Sequence, residues 1–280
     1  MYKRYLIIAS KQDKAGINIT VALSQFRKNP VLASLNSEKP GFDFYLREEE
    51  IISDENLNHE KISQYDFVIF ASKHKSEKGG KTLSIHAPGN WRKAELGGQA
   101  GKVCPTSALF LKQTFELLNK NAKGSDLNDY KVTLECTHHG PLIKKPCMFI
   151  EIGSTEIEWN DRRAAFVVAK TINDIINGFE ENPYREIAIG IGGPHYCPNF
   201  NKIQLKSNIA ISHIIPEYSL PVTEEMIKEA IEKTEEEIDI VLLDWKGIGI
   251  AEERERIIKI LDKNYLQYRK TSQIEKPEGS

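Results

Sequence analysis

The chain has 280 residues, with 38 Lys and Arg against 40 Asp and Glu, so its formal net charge is −2. It is 40% hydrophobic and 28% charged, with ordinary Gly and Pro content; this buries a substantial core and excludes collagen-like, disordered and disulfide-stapled classes. The balance of charge also excludes a protein that coats nucleic acid by bulk basicity, while leaving room for a local basic patch.

In chain order, Tyr5–Ser10 reads as a first strand. Its apolar run, Leu6 to Ala9, is too short for a signal peptide core, and Phe67–Ala71 is too short to span a bilayer. Residues 34–64 form the most polar stretch and read as an excursion from the core of a single α/β domain spanning 1–280. Asp66–Ser72 and Thr82–His86 read as strands, and Pro105–Asn119 as a helix with proline at its start. Tyr130–Thr137 and Cys147–Gly153 read as strands. Asn160–Gly178 reads as a helix, with Asn160 as its cap and Gly178 as its stop. Strands are expected at Arg185–Ile191, Asn208–Ile214 and Ile238–Leu243, and helices at Thr223–Glu237 and Ala251–Leu261. Residues 270–280 read as a loose polar tail. Strands alternating with helices predict a three-layer α/β/α fold around a mostly parallel, mixed central sheet.

The strands run into polar segments that carry glycine or histidine, which predicts one cleft at their carboxyl ends. His138 and His139 follow the Tyr130 strand, and His195 follows Gly192-Gly193-Pro194. A neutral imidazole serves as a zinc ligand or as a general base near neutral pH. Two adjacent histidines on extended chain point to opposite sides unless the turn at Gly140 redirects one. Gly192 and Gly193 let backbone amides approach a ligand. Glu151 is a carboxylate inside the apolar strand Met148–Ile152 and needs a partner, either a histidine or metal, or a core arginine. Lys73, Lys75, Lys78 and Lys81 crowd a hairpin-like segment suited to phosphate contact, and Trp91 beside a turn is a candidate for stacking on a base. The four cysteines, Cys104, Cys136, Cys147 and Cys197, lack metal-knuckle or redox spacing and read as free thiols of a cytoplasmic protein. The phosphate-loop, dinucleotide, His-Glu-x-x-His and Gly-x-Ser-x-Gly patterns all fail.

In SIHAPGNW (84–91), THHGP (137–141), FIEIGSTEIEW (149–159), GGPHY (192–196), HIIPEY (213–218) and DWKG (244–247) the chain resembles the archaeal and plant type of D-aminoacyl-tRNA deacylase. The resemblance runs from about residue 5 to about residue 262. It implies hydrolysis of the ester between a D-amino acid and the terminal ribose of tRNA. It further implies a zinc requirement, a monomeric cytoplasmic enzyme, and a fold similar to phosphorylases and peptidyl-tRNA hydrolases. The expected catalytic group is then His138, His139, His195, His86 and Glu151, with Gly192 and Gly193 as oxyanion donors. His138, His139, His195 and His74 are the expected metal ligands. Lys73, Lys78, Lys81, Trp91, Arg92, Lys144, Lys145, Tyr196 and Lys246 are the expected contacts to the tRNA acceptor end. Two rival classes are a different hydrolase or phosphorylase on a similar fold, acting on peptide or nucleoside, and a tRNA-binding protein without catalysis.

Overall fold

Two sheets, set side by side, carry the site at their junction. A computed structural model of the chain describes residues 2–27, 40–77, 79–181 and 183–274. The first sheet has six strands in the order β2 (Gly41–Arg47), β1 (Arg4–Ser10), β3 (Phe67–Lys75), β8 (Cys147–Ser154), β4 (Thr82–His86) and β7 (Lys131–Leu134). It is parallel except between β4 and β8. The second sheet has four parallel strands in the order β10 (Ile209–Ile215), β9 (Glu186–Ile191), β11 (Ile240–Leu243) and β12 (Tyr268–Lys270). A short ribbon pairs β5 (Gly89–Asn90) with β6 (Lys102–Val103).

Helices lie on both sides, as the α/β reading expects. One face of the first sheet buries Tyr5, Ile7, Phe67, Ile69 and Ile150 against α1 (Lys14–Ser24), α3 (Ala108–Gly124) and α5 (Arg162–Gly178). The same core continues under the second sheet, where α6 (Pro198–Lys206) supplies Phe200 and Ile203. The opposite face of the second sheet packs Ile189, Val241 and Leu243 on α7 (Glu224–Glu232) and α8 (Ala251–Lys263). The opposite face of the first sheet packs Leu6, Val68, Phe70 and Phe149 on Ile51, Leu57 and Ile62, the last in α2 (His59–Ser63). The remaining helix, α4 (Glu156–Trp159), follows β8 directly and is closed by a Thr155–Glu158 capping box.

Three local differences from the sequence reading have clear causes. Of the expected excursion over 34–64, residues 34–39 lie outside the described residues; from residue 41 the stretch does not leave the core, since Gly41–Arg47 pairs with β1 as an edge strand, where half-exposed residues are tolerated. The helix expected from Asn160 is capped by Asp161, whose side chain accepts from Arg163 N–H. The strand expected through Thr137 ends at Leu134, because beyond it the backbone bonds to the second sheet instead. Cys136 N–H donates to His195 O at 2.9 Å and Thr137 N–H to Ile214 O at 3.1 Å. Of the expected tail, Tyr268–Lys270 forms β12 and 275–280 lie outside the described residues.

Candidate active site

Strand periodicity builds the floor of the site. Along one face of β3 and β8, the side chains Val68, Phe70, Cys147 and Phe149 are apolar and buried. Two residues further on, the same face becomes polar, with Ser72 opposite Glu151 and then His74. On β4, Ser84 lies opposite Glu151 and His86 opposite Phe149. The His86 ring stacks on Phe149 at 5.2 Å. A strand alternates faces with period two, so one polar residue on this face sets its neighbours at i ± 2 beside it.

The chain leaving β7 supplies the roof. His139 adopts φ +46°, a left-handed conformation. This turn swings its ring back beside that of His138, at 4.3 Å, so both histidines face the same cluster. The glycines behind them make the turn possible. A Cβ on Gly140 would sit 2.4 Å from Gly98 N and 2.5 Å from Ile52 O, so the Gly97-Gly98 loop packs directly on the Gly140 backbone.

At the centre is Glu135, a residue absent from the expected site. Its Oε2 accepts from His195 Nε2 at 3.2 Å and lies 3.5 Å from His138 Nε2. Its Oε1 is 3.1 Å from His74 Nδ1, close but out of hydrogen-bond alignment. The signal that singled out Glu151, a charge within an apolar strand, was equally present at Glu135. Glu151 itself partners histidines and not a core arginine, at 3.6 Å from His74 and 3.7 Å from His86. Cys136 and Tyr218 also enter the site. The Tyr218 hydroxyl lies 2.8 Å from Cys136 Sγ and 3.3 Å from His195 Nδ1.

The electrostatics divide the imidazoles into two kinds. Burial opposes protonation of His74, but Glu135 and Glu151 outweigh it and hold it at about 11. Burial likewise opposes protonation of His195, and Cys136 and Glu135 hold it at about 10. In return His195 and His74 keep the Glu135 carboxyl well below its usual range despite complete burial. Burial, with His86 beside it, pushes His139 down to about 4. Burial, with His86 and His139, pushes His138 well below the ordinary imidazole value.

The donor set fits a metal ion such as zinc. In His86, His138 and His139, Nδ1 is pinned to a backbone carbonyl: Ala87 O at 3.2 Å, Cys136 O at 2.9 Å and Gly140 O at 2.7 Å. When neutral, each ring therefore carries its free lone pair on Nε2, the tautomer a metal-binding imidazole takes; Glu151 beside His86 raises that ring's pKa against burial. The three ligand atoms lie within 4.8 Å of one another. His86 Nε2 and Glu151 Oε2 are buried with no hydrogen-bond partner. A cation among them removes that deficit.

The structure gathers His74, His86, His138, His139, His195 and Glu151 into this one cluster, and Tyr196 joins it by a 2.8 Å hydrogen bond to His74 Nε2. Other expected residues are placed elsewhere. Gly192 N–H already donates to Ile215 O at 2.7 Å and Gly193 N–H to Gly247 O at 3.4 Å, so neither amide is free for an oxyanion. Trp91 borders the cavity beside His138 but is buried, with Nε1–H donating to Ile214 O. Arg92 is spent on Ser219 O and Pro221 O, Lys73 on Glu50 and Lys81 on Asp129. Lys144 is exposed and Lys145 lies near Glu235, both in the β7–β8 connection. Lys246 lines a separate cavity, and Lys78 lies outside the described residues. His213, the first residue of the HIIPEY segment, is fully buried between Thr137 Oγ1 and Lys233 O.

A cavity of about 360 Å³ opens onto this cluster at His138, bounded by Asn90, Arg92, Thr137, Tyr218 and Ser219. None of the helices among the described residues is long and apolar enough to cross a membrane.

Comparison with known proteins gives the family and the fold. The family described as D-aminoacyl-tRNA deacylase matches residues 61–269. The D-aminoacyl-tRNA deacylase of Methanocaldococcus jannaschii is 31% identical over 273 residues, covering 95% of this chain and 98% of that protein. The D-aminoacyl-tRNA deacylase of Pyrococcus furiosus is 35% identical over 254 residues, covering 86% and 91%. A crystal structure of a conserved protein of unknown function superposes with a TM-score of 0.84 at 27% identity, covering 97% of this chain and 96% of the other. The sequence match over most of the chain, joined to the shared fold, places this chain in the D-aminoacyl-tRNA deacylase family.

Proposed function

We propose that the protein hydrolyses the ester joining a D-amino acid to the terminal ribose of tRNA, releasing the free amino acid and the tRNA. The observation that carries this reading is the pair His138 and His195, ring centres 4.5 Å apart, both against the same Glu135 oxygen, Oε2, at the mouth of an open cavity. One imidazole is held neutral and the other protonated. A protonated imidazole at the cavity can give a proton to a leaving oxygen, and a neutral one beside it is free to ligate a metal.

In this mechanism water attacks the ester carbonyl from the cavity at His138. The carbon–oxygen bond to the ribose breaks, and the leaving oxygen takes a proton from His195. The proton lost by the attacking water restores His195, so atoms and charge balance over the cycle. Glu135 holds His195 in position and protonated, and Tyr218 fixes the other edge of the ring. His74, tied to Tyr196 and both carboxylates, neutralises the buried charge beneath them. His86, His138 and His139 are the residues that would hold zinc. When bound there, the ion supplies a water of lowered pKa and polarises the carbonyl. The same reading takes the enzyme as a cytoplasmic monomer, with elution at the 31.8 kDa mass on size exclusion as its check.

The test is hydrolysis of D- against L-aminoacyl-tRNA by the purified protein. Preferential release of the D-amino acid supports the reading. Equal rates point to a general esterase, and tRNA binding without cleavage points to a carrier; either outcome overturns it.

A further inference from the structure

The Gly192-Gly193 turn, two residues before His195, is backed by Asp244: a Cβ on Gly193 would stand 2.8 Å from Asp244 Oδ2. Asp244 also lines a second cavity of about 560 Å³, bounded by α6, the 244–247 turn after β11, and Thr271–Ser272. Lys202, Lys206 and Lys246 line it and are exposed. Among the described residues none of the three has a carboxylate partner. The single acid in the wall, Asp244, offsets them only in part. Asp244 accepts from Asn199 Nδ2 at 3.0 Å and from Gly247 N–H at 3.4 Å, which hold its carboxylate against the turn, and its one negative charge stands against three lysines. Trp245 is flanked by two more cations, Lys270 Nζ at 3.9 Å and the Arg254 guanidinium at 5.1 Å from the ring centre. The Arg254 Nε is buried with no acceptor. Three cations thus line one cavity, and two more lie against the Trp245 ring in its wall, in a chain whose net charge is −2. Lys73, Lys81 and Arg92, by contrast, are already paired or bonded.

We propose that this cavity binds the phosphodiester backbone of the acceptor strand, at the unpaired nucleotides that precede the terminal adenosine. The inference rests on the deacylase reading and adds to it where the strand lies. Phosphate is favoured because the three lysines that line the cavity have no carboxylate partner among the described residues, and an anion supplies one. The wall shared through Asp244 and Gly193 sets the cavity next to the turn that carries His195. A strand seated there would present its terminal ester to the histidine cluster. Lysines bind phosphate as mobile point charges, so the subsite reads backbone and not sequence.

The test is binding of uncharged tRNA, by fluorescence anisotropy, to the full-length protein and to the triple variant Lys202→Ala, Lys206→Ala, Lys246→Ala. All three side chains are exposed, so their truncation leaves the core intact. A control variant, Lys120→Ala, Lys123→Ala, Lys259→Ala, removes the same charge from residues that line neither cavity. Three single-strand phosphate contacts contribute about 2 to the slope of log K against log salt. The native protein and the control are expected to lose about 20-fold more affinity than the site variant between 50 and 200 mM salt. Equal slopes for the site variant and the control overturn the inference. Hydrolysis of D-aminoacyl-tRNA by the native protein is read separately. If it proceeds while the slopes are equal, the subsite is wrong and the deacylase reading stands. If the slopes differ but the native protein cleaves no ester, the deacylase reading fails and the cavity remains a nucleic-acid site.

Discussion

His195 donates from Nε2 to Oε2 of Glu135 over 3.2 Å, and through this bond a fully buried carboxylate and a half-exposed imidazole fix each other's charge. Neither position is close to the other in sequence. The bond exists because the chain after β7 crosses to the second sheet, where the backbone of Cys136 meets that of His195.

Replacing Glu135 by Gln keeps the side-chain volume and removes the charge. We expect kcat to fall by about 100-fold or more, because the imidazoles lose the group that orients and charges them. The alkaline limb of the rate profile should also move to lower pH, since His195 loses its main carboxylate partner. Steady-state rates over a pH series, corrected for uncatalysed ester hydrolysis, check both, with circular dichroism to confirm folding.

Zinc content should follow the three carbonyl-pinned imidazoles. His86→Asn, His138→Asn and His139→Asn are each expected to lower zinc affinity by about 100-fold or more, beyond the ~10–100-fold typical when an outer partner of a ligand is lost. Chelation of the native protein should abolish hydrolysis and restoration of zinc should recover it. Metal analysis of each purified variant provides the check, and full zinc occupancy in all three would reject this ligand set.

His213 gives the protein an acid sensitivity separate from the site. Burial holds its folded pKa at about 4, against an ordinary value near 6.5. Above 6.5 the group is neutral in both states and contributes nothing to the pH dependence. As pH falls from 6.5 towards 4 the unfolded state takes up the proton and the folded state does not, so stability drops, by about 3 kcal/mol at full extent. Denaturant midpoints of the native protein should fall across this window, and His213→Gln should flatten the fall. An unchanged slope in the variant would refute the assignment.

Gly140→Ala tests the turn that unites the two adjacent histidines. The added methyl meets backbone atoms of Gly97, Gly98 and Ile52, none of which is the free end of a side chain. Overpacking of this kind costs about 1–3 kcal/mol. A lowered melting temperature together with reduced zinc content is expected. Loss of stability with full zinc content would show that the turn supports the fold without positioning His139.

The sequence by itself determined most of the fold. Thr82–His86 coincides with β4, and Cys147–Gly153, Arg185–Ile191 and Ala251–Leu261 fall within one or two residues of the observed elements. Strong apolar periodicity made these legible. Helix α1 was not, because Ile17, Ile19, Thr20 and Val21 are β-branched, and the Asp13 cap with packing on α5 and the first sheet holds them helical. Strand β2 was missed because an edge strand shows too little burial to stand out in a polar stretch. The histidines at strand ends were legible as a set, since strand chemistry changes from apolar to polar there. Their partners were not. Local pattern gives the face of a residue on its own strand, but it cannot say which strand will lie alongside. Whether Glu135 would meet His74 and His195, whether the Gly192 amide would be spent on Ile215, and whether Lys202, Lys206 and Lys246 would ring one cavity all depend on long-range pairing. That pairing is set by packing across the whole core, and only the tertiary structure decided it.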